Sequence, residues 1–233
     1  MRAHDSYLHK LIQMNDTVFS IPVYQRNYDW DSENCEQLFN DIESIAQTGK
    51  EHFIGSIVYI SVGTATDQSY NIIDGQQRIT SVMLFLRALR DITEDEHLQK
   101  LIRNKYLVNF DLDGEPKVKL KQIESDSGVY EKLIMSASYD ETAFSDKEKQ
   151  SNVYRNYMLM RDLIQQSKVS HNDLYGAVMK LEIIDVMLTT EDPQEVFESM
   201  NSTGKNLTNT DLLRNYLLMD LPYQTYYFLY FPT

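Results

Sequence analysis

The 233-residue sequence predicts an α+β fold, a mixed-sheet core with a mostly helical insertion. Three observations lead there. Short apolar strand patterns and amphipathic helical patterns share the first 95 residues or so. Helical spacing dominates from about 96 to 179, and an apolar strand pattern returns at about 181–189. The expected division is a core over 1–95, a helical section with a hairpin over 96–179, a strand and two helices over 180–220 that complete the core, and an aromatic tail over 221–233.

The residues up to Gln13 read as a short helix. Thr17 to Ile21 reads as a strand ended by Pro22, and a polar-aromatic loop follows. Asp31 or Ser32 caps a helix carrying Leu38, Phe39, Ile42, Ile45 and Ala46, and Gly49 ends it. His52 to Ser61 is a second strand with Gly55 inside it, and Tyr70 to Ile73 a third. Ile79, Val82, Met83, Leu86, Leu89 and Ile92 mark one face of the next helix. Tyr106 to Lys121 reads as a hairpin around Asp113-Gly114. Helices are expected at about 126–137, 146–167 and 171–179, with Asp146 and Ser170 as caps. Beyond the returning strand, Pro193 starts a further helix, and Thr208 or Asn209 caps the last one.

A hydrophobic content of 42% suffices for a real core. The formal net charge of −13 repels duplex DNA on average, so bulk electrostatics do not predict nucleic-acid binding. Lys100, Arg103, Lys105, Lys117, Lys119 and Lys121 cluster in sequence; a solvated helix end and hairpin explains them first, a local basic surface second. The single cysteine, Cys35, excludes an intrachain disulfide and a cysteine-rich zinc site. The five histidines show no metal-ligand spacing. No signal-peptide pattern or membrane-length apolar run is present, so a cytoplasmic protein is expected.

Three polar clusters carry candidate chemistry. In the first, Ile72-Ile73-Asp74-Gly75-Gln76-Gln77-Arg78-Ile79-Thr80-Ser81, a strand turns sharply into a helix. Free amides and the helix dipole favour an anion at such a turn. Gly75 permits close approach of a ligand, and Arg78 can fork onto phosphate. Thr80 and Ser81 can offer hydroxyls to a phosphate or a hydrated magnesium ion, and Gln76 and Gln77 can hold a base edge, a ribose or a water. The plain alternative is a helix entry capped by Asp74, with Arg78 paired at the surface.

The second cluster runs from Tyr24 to Trp30. Gln25 and Arg26 offer amide and guanidinium groups, and Tyr24, Tyr28 and Trp30 offer stacking faces. Covering the core edge is the better reading for Tyr28 and Trp30, but not for Arg26. The third cluster is Phe197 to Thr208, with Asn201 at a helix end, Gly204 in a turn and Lys205 within reach of phosphate. It lacks the Walker spacing, and an empty helix–turn–helix connection explains it equally simply.

Together these segments resemble the N-terminal domain of GmrSD-type modification-dependent restriction enzymes, which also occurs in phosphorothioate-sensing phage-defence proteins. The resemblance rests on Ile21-Pro22-Val23-Tyr24-Gln25-Arg26-Asn27-Tyr28-Asp29-Trp30, Phe53-Ile54-Gly55-Ser56-Ile57, Ile73-Asp74-Gly75-Gln76-Gln77-Arg78-Ile79-Thr80, Phe197 to Thr208, and Asp211-Leu212-Leu213-Arg214-Asn215. It implies a ParB/sulfiredoxin-like core that binds and hydrolyses an NTP with Mg2+, coupled to recognition of modified DNA. It also implies a nuclease domain, which this chain stops short of, so a separately supplied nuclease is the expected partner.

In that reading Asp74, Gln77 and Arg78 form the catalytic set. Tyr24, Gln25, Arg26, Gly75, Gln76, Arg78, Thr80, Asn201 and Lys205 bind the nucleotide, and no metal site is built from protein ligands alone. Two other readings stand beside it. One is a direct DNA-binding or nuclease module using the same pocket. The other is a noncatalytic partner-binding remnant whose tyrosine-rich tail joins a partner or a second copy.

Overall fold

The computed structural model describes residues 2–63, 68–110 and 114–189. Its strands are β1 (Arg2–Tyr7), β2 (Thr17–Ser20), β3 (His52–Ser61), β4 (Gln68–Asp74), β5 (Val108–Phe110), β6 (Pro116–Val118), β7 (Leu120–Lys121) and β8 (Leu181–Leu188). Its helices are α1 (Leu8–Ile12), α2 (Ser32–Thr48), α3 (Gln76–Ile92), α4 (Glu96–Ile102), α5 (Glu124–Met135), α6 (Asp146–Lys149), α7 (Asn152–Gln166) and α8 (His171–Val178). The main sheet has six strands in the order β1-β8-β3-β4-β2-β7. It is mixed: β8 runs parallel to β3 and antiparallel to β1, β4 antiparallel to β3, and β2 parallel to both β4 and β7. This is the α+β, mixed-sheet fold that the sequence predicts.

Local signals set several element ends. Asp31 accepts the Asn34 amide at the start of α2, and Gly49 closes that helix in the left-handed conformation, φ 71°. Ser170 caps α8 as expected.

Four expectations need correction. Residues 2–7 are a strand, and the first helix spans only Leu8–Ile12, because β1 pairs with the distant β8. The single helix expected at 146–167 is two. Ser145, with Glu148 three residues on, builds a capping box for α6, and Ser151 caps α7. Asp146 is therefore the first helical residue, not the cap. The hairpin is only β5–β6: Tyr106 lies in a π-helical turn, Arg103–Leu107, and Leu120–Lys121 pairs with β2 instead.

Helix α3 is the axis of the molecule. Its apolar face was expected to lie on one side, yet every residue from Ile79 to Arg90 is buried. It reaches this by packing between the sheet and the helical section, where α7 lies against it. Burial there takes in two arginines. Arg87 is fully buried, with Nε facing Asp91 Oδ2 at 3.1 Å, an ion pair too bent to be a hydrogen bond. Its other nitrogens donate to the carbonyl and hydroxyl oxygens of Ser136, and Arg90 donates to the Ser136 and Ala137 carbonyls. Tyr157 of α7 donates to Asp91 at 2.5 Å. Burial pushes the Asp91 carboxyl up and the Arg87 guanidinium down, and each charge restrains the shift of the other.

The sheet's two faces alternate along β3 and β8. Ile57 and Tyr59, with Leu181 and Ile183, face the main core. Val58, Ile73, Val186 and Leu188 form a smaller cluster with Tyr24. No described helix is long and apolar enough to cross a membrane.

Candidate functional site

The site is built where β4 hands over to α3. Gly75 makes the turn at φ 91°, and a Cβ there would lie 2.3 Å from Ile57 Cδ1 and 3.0 Å from the Ser56 carbonyl. Only glycine fits this corner. Gly75 is also the N-cap of α3, so the cap residue has no side chain to offer the helix amides. The first intrahelical bond goes from the Ile79 amide to the Gly75 carbonyl, which leaves the amides of the first turn to other acceptors. Asp74 does not cap the helix, contrary to the plain alternative.

Asp74 instead faces Arg78. Arg78 Nη2 donates to Asp74 Oδ2 at 3.0 Å and to the Ser56 carbonyl at 2.7 Å, and Ser56 Oγ donates to the same carboxylate oxygen at 3.4 Å. Both charged side chains are about a quarter to a third exposed, 27% and 30%, so the pair adds only ~0–1 kcal/mol to stability and can turn to a ligand. The guanidinium lies on Gly55, whose φ is 103°, and a Cβ there would meet Nη1 at 2.3 Å. Gly55 and Ser56 thus belong to the site. A glycine inside a strand was the local sequence signal for them, and the segment Phe53 to Ile57 also carries the family resemblance.

The loop from Tyr24 to Trp30 forms the other wall, and α3 holds it. Gln77 Oε1 accepts the Asp29 amide at 2.9 Å and the Trp30 amide at 3.2 Å, while its Nε2 donates to the Asn27 carbonyl at 3.0 Å. Gln76 Nε2 donates to the Arg26 carbonyl at 3.3 Å, and Gln25 Nε2 to the Ile73 carbonyl at 2.9 Å. The helical section grips the loop as well. Asp126 accepts the Tyr28 amide, Asn152 donates to the Tyr28 carbonyl, and Asn156 donates to the Tyr28 hydroxyl and the Trp30 carbonyl. These three residues carried no sequence signal, because their partners are backbone groups far away in the chain. Arg26, 22% exposed, stands at this wall with Asp29 at 3.6 Å.

The structure therefore brings together Gln25, Arg26, Asp74, Gly75, Gln76, Gln77 and Arg78. It gives Gln77 and Gln25 to the loop, where their amides have protein partners. Thr80 is taken out of the group: it is fully buried, and its hydroxyl accepts from Gln122. Ser81 is likewise buried, bonded to Tyr28 and to the Gln77 carbonyl. The Tyr24 ring is 5% exposed and packed in the smaller cluster, so its faces are used by the protein, and burial pushes its hydroxyl pKa up. Tyr28 is a core-edge residue, as its sequence context suggested. Asn201 and Lys205 lie outside the described residues.

The run of basic residues is split: Lys105, Lys117 and Lys121 are exposed, and the other three are engaged within the protein. Lys119 is turned inward onto the Ile12 and Met14 carbonyls, Lys100 is paired with Glu96, and Arg103 lies over Phe110. Among the described residues no cluster of histidine, cysteine or carboxylate side chains is set to hold a metal by itself.

Chemically, the corner offers first-turn helix amides, the Arg78 guanidinium and the Asp74 carboxylate, and the Arg26–Asp29 pair sits on the loop that α3 holds. Helix amides beside a guanidinium are groups able to receive an oxyanion, and the formal charges of the two pairs cancel. No curated protein matches the chain. The family described as the GmrSD restriction endonuclease N-terminal domain matches residues 8–218, a span that holds the Asp74–Arg78 corner and its loop. The chain belongs to that family of restriction-enzyme domains.

Proposed function

We propose that this chain is the nucleotide-binding, NTP-hydrolysing module of a modification-dependent restriction or phage-defence system. The single observation that supports the reading most is the N-terminus of α3, whose cap residue Gly75 has no side chain, with Arg78 beside it and the Arg26 loop tied to its first turn. First-turn amides and guanidiniums bind phosphate oxygens. Asp74 and Asp29 cancel the arginines' charge, and the chain as a whole carries −13. A free triphosphate gains little in such surroundings, so the ligand is its Mg2+ complex. The metal would supply charge neutralisation between phosphates, and Asp74 would hold one of its waters.

In this scheme Arg78 turns from Asp74 to the phosphates and stabilises the charge that develops on transfer, a contribution of several kcal/mol (about 3) in such sites. Gln77 and Gln25 position the loop that carries Arg26. Recognition of modified DNA and cleavage fall to surfaces or partners beyond this corner, with a nuclease domain or subunit making the cut and the system working in the cytoplasm. A core of the ParB/sulfiredoxin type belongs to the same proposal. The direct DNA-binding reading is weaker, since the basic run is dispersed and partly buried.

Calorimetric titration with each NTP plus magnesium, followed by a phosphate-release assay, tests this. The wild-type chain should bind at least one NTP, and Arg78→Ala should lose binding and turnover with its fold intact. An Arg78→Ala protein that hydrolyses NTP at the wild-type rate would refute the assignment.

A further inference from the structure

Two buried polar atoms at the start of α3 have no partner among the described residues: the acceptor Gln76 Oε1 and the donor Arg78 Nε. They ask for opposite things. Arg78 Nε needs an acceptor, which any phosphate supplies. Gln76 Oε1 needs an N–H or O–H donor. The orientation of its amide is fixed, because Nε2 donates to the Arg26 carbonyl and the reverse placement would set two oxygens face to face. Gln76 is 7% exposed, so bulk water does not serve it.

A polyphosphate chain presents acceptors alone, and the waters of a bound Mg2+ are common to every ligand and so give no preference among them. The polyphosphate would satisfy Arg78 and leave Gln76 Oε1 unmet. From this we infer that Gln76 is the specificity-determining residue of the corner: its Oε1 accepts from a hydroxyl or amino group carried by the same molecule as the phosphate. The ligand class is therefore a phosphate ester of a hydroxylated or amino-bearing group, as in a nucleotide. This rests on the nucleotide reading above.

The way in is also indicated. Of the bonds that tie the Tyr24–Trp30 loop to α3, the Gln76–Arg26 bond is the longest at 3.3 Å, against 2.6–3.2 Å for the others. A ligand donor entering here separates Gln76 from the Arg26 carbonyl and leaves the Gln77 clamp in place. Arg26 is then freed to follow the phosphates.

The test compares ATP, GTP, ITP, 2′-deoxy-ATP and inorganic tripolyphosphate, each with Mg2+, by titration into the full chain and its Gln76→Met variant. The wild type should prefer its best nucleotide over tripolyphosphate by about tenfold, the ~1.4 kcal/mol that one hydrogen bond to a buried acceptor returns. Gln76→Met should bring the two within about threefold, because loosening Arg26 weakens both ligands alike while only the nucleotide loses its donor contact. A preference lost with 2′-deoxy-ATP assigns the donor to the ribose 2′-hydroxyl. One lost with ITP assigns it to the base amine, and one kept by both assigns it to the 3′-hydroxyl. An unchanged ratio in Gln76→Met, or no preference in the wild type, overturns the inference and leaves the nucleotide reading standing. If no triphosphate of any kind binds, the nucleotide reading fails and this inference with it. Should Gln76→Met not fold, the wild-type ratio still decides.

Discussion

Replacing Gly55 by alanine tests the corner more directly than any change to its charged groups. The added Cβ would sit 2.3 Å from Arg78 Nη1 and 3.0 Å from its Cζ. Nonbonded heavy atoms need roughly 3.5 Å, so the guanidinium must retreat by about 1 Å. That retreat stretches its bonds to the Ser56 carbonyl and to Asp74, now 2.7 and 3.0 Å, beyond hydrogen-bond length. The backbone adds its own strain, since φ 103° is open to glycine and costs other residues ~1–3 kcal/mol. With ~1 kcal/mol from the lost bond to the Ser56 carbonyl and at most ~1 kcal/mol from the partly exposed ion pair, the total is about 2–5 kcal/mol. At roughly 2–4 °C per kcal/mol, the melting temperature should fall by about 4–20 °C. Nucleotide affinity should fall about tenfold or more. Gly49→Ala is the control: φ is 71°, but the added Cβ meets only Lys180 Nζ at 3.6 Å. It should lose stability by ~1–2 kcal/mol and keep its affinity. Thermal melts and titrations on both variants measure this. If Gly55→Ala melts within 2 °C or so of wild type, or if Gly49→Ala loses as much affinity, the reasoning about Arg78 is wrong.

Three further expectations follow from buried polar groups. Arg87→Met leaves the Asp91 carboxylate buried beside Tyr157, and denaturant unfolding should show a loss of about 3–5 kcal/mol, partly restored by adding Asp91→Leu; a loss under ~1 kcal/mol would exclude a stabilising role for the pair. Gln77→Leu removes three hydrogen bonds to the loop, so hydrogen exchange at the Asp29 and Trp30 amides should speed up by at least tenfold while the centre of α3 stays protected. Burial lowers the Lys119 pKa to about 8, below the 10.5 of an unstructured lysine. Between those values the unfolded chain keeps a proton that the native chain has lost. Stability should therefore rise with pH from about 8 to 10 by up to ~1.4 kcal/mol per unit, and above about 10 the buried tyrosines reverse the trend. Lys119→Met should flatten the rise; an unchanged slope would point to another group.

What could be read in advance divides along a physical line. Asp31, Gly49 and Ser170 act on their own helices, and their roles were visible from neighbouring residues. So was the strand–glycine–helix corner, whose conformation is local. Side-chain type does not reveal burial, which depends on what arrives from elsewhere. Thr80 and Tyr24 looked like ligand groups, but Gln122 and the β3–β8 face claim them. Arg87 and Arg90 are not among the apolar positions that marked α3 in the sequence, and α7 with the residues after α5 encloses them. Gly55 was visible as an oddity, and its reason appeared only with Arg78 in place. The longest-range pairing, β1 with β8, left no local trace in β1, so residues 2–7 were read as helix, while β8 was read as the strand it is.

That pairing bears on how the protein is made. Arg2 lies opposite Met187, and β8 separates β1 from β3. During synthesis the first strand emerges with no edge to join, and the exposed edge of β3 waits for the same segment. At about 5–20 residues per second, roughly ten to forty seconds pass before β8 leaves the ribosome and joins both. Until then the nascent chain carries two open strand edges, which makes this interval the one in which chaperone capture and aggregation compete with folding.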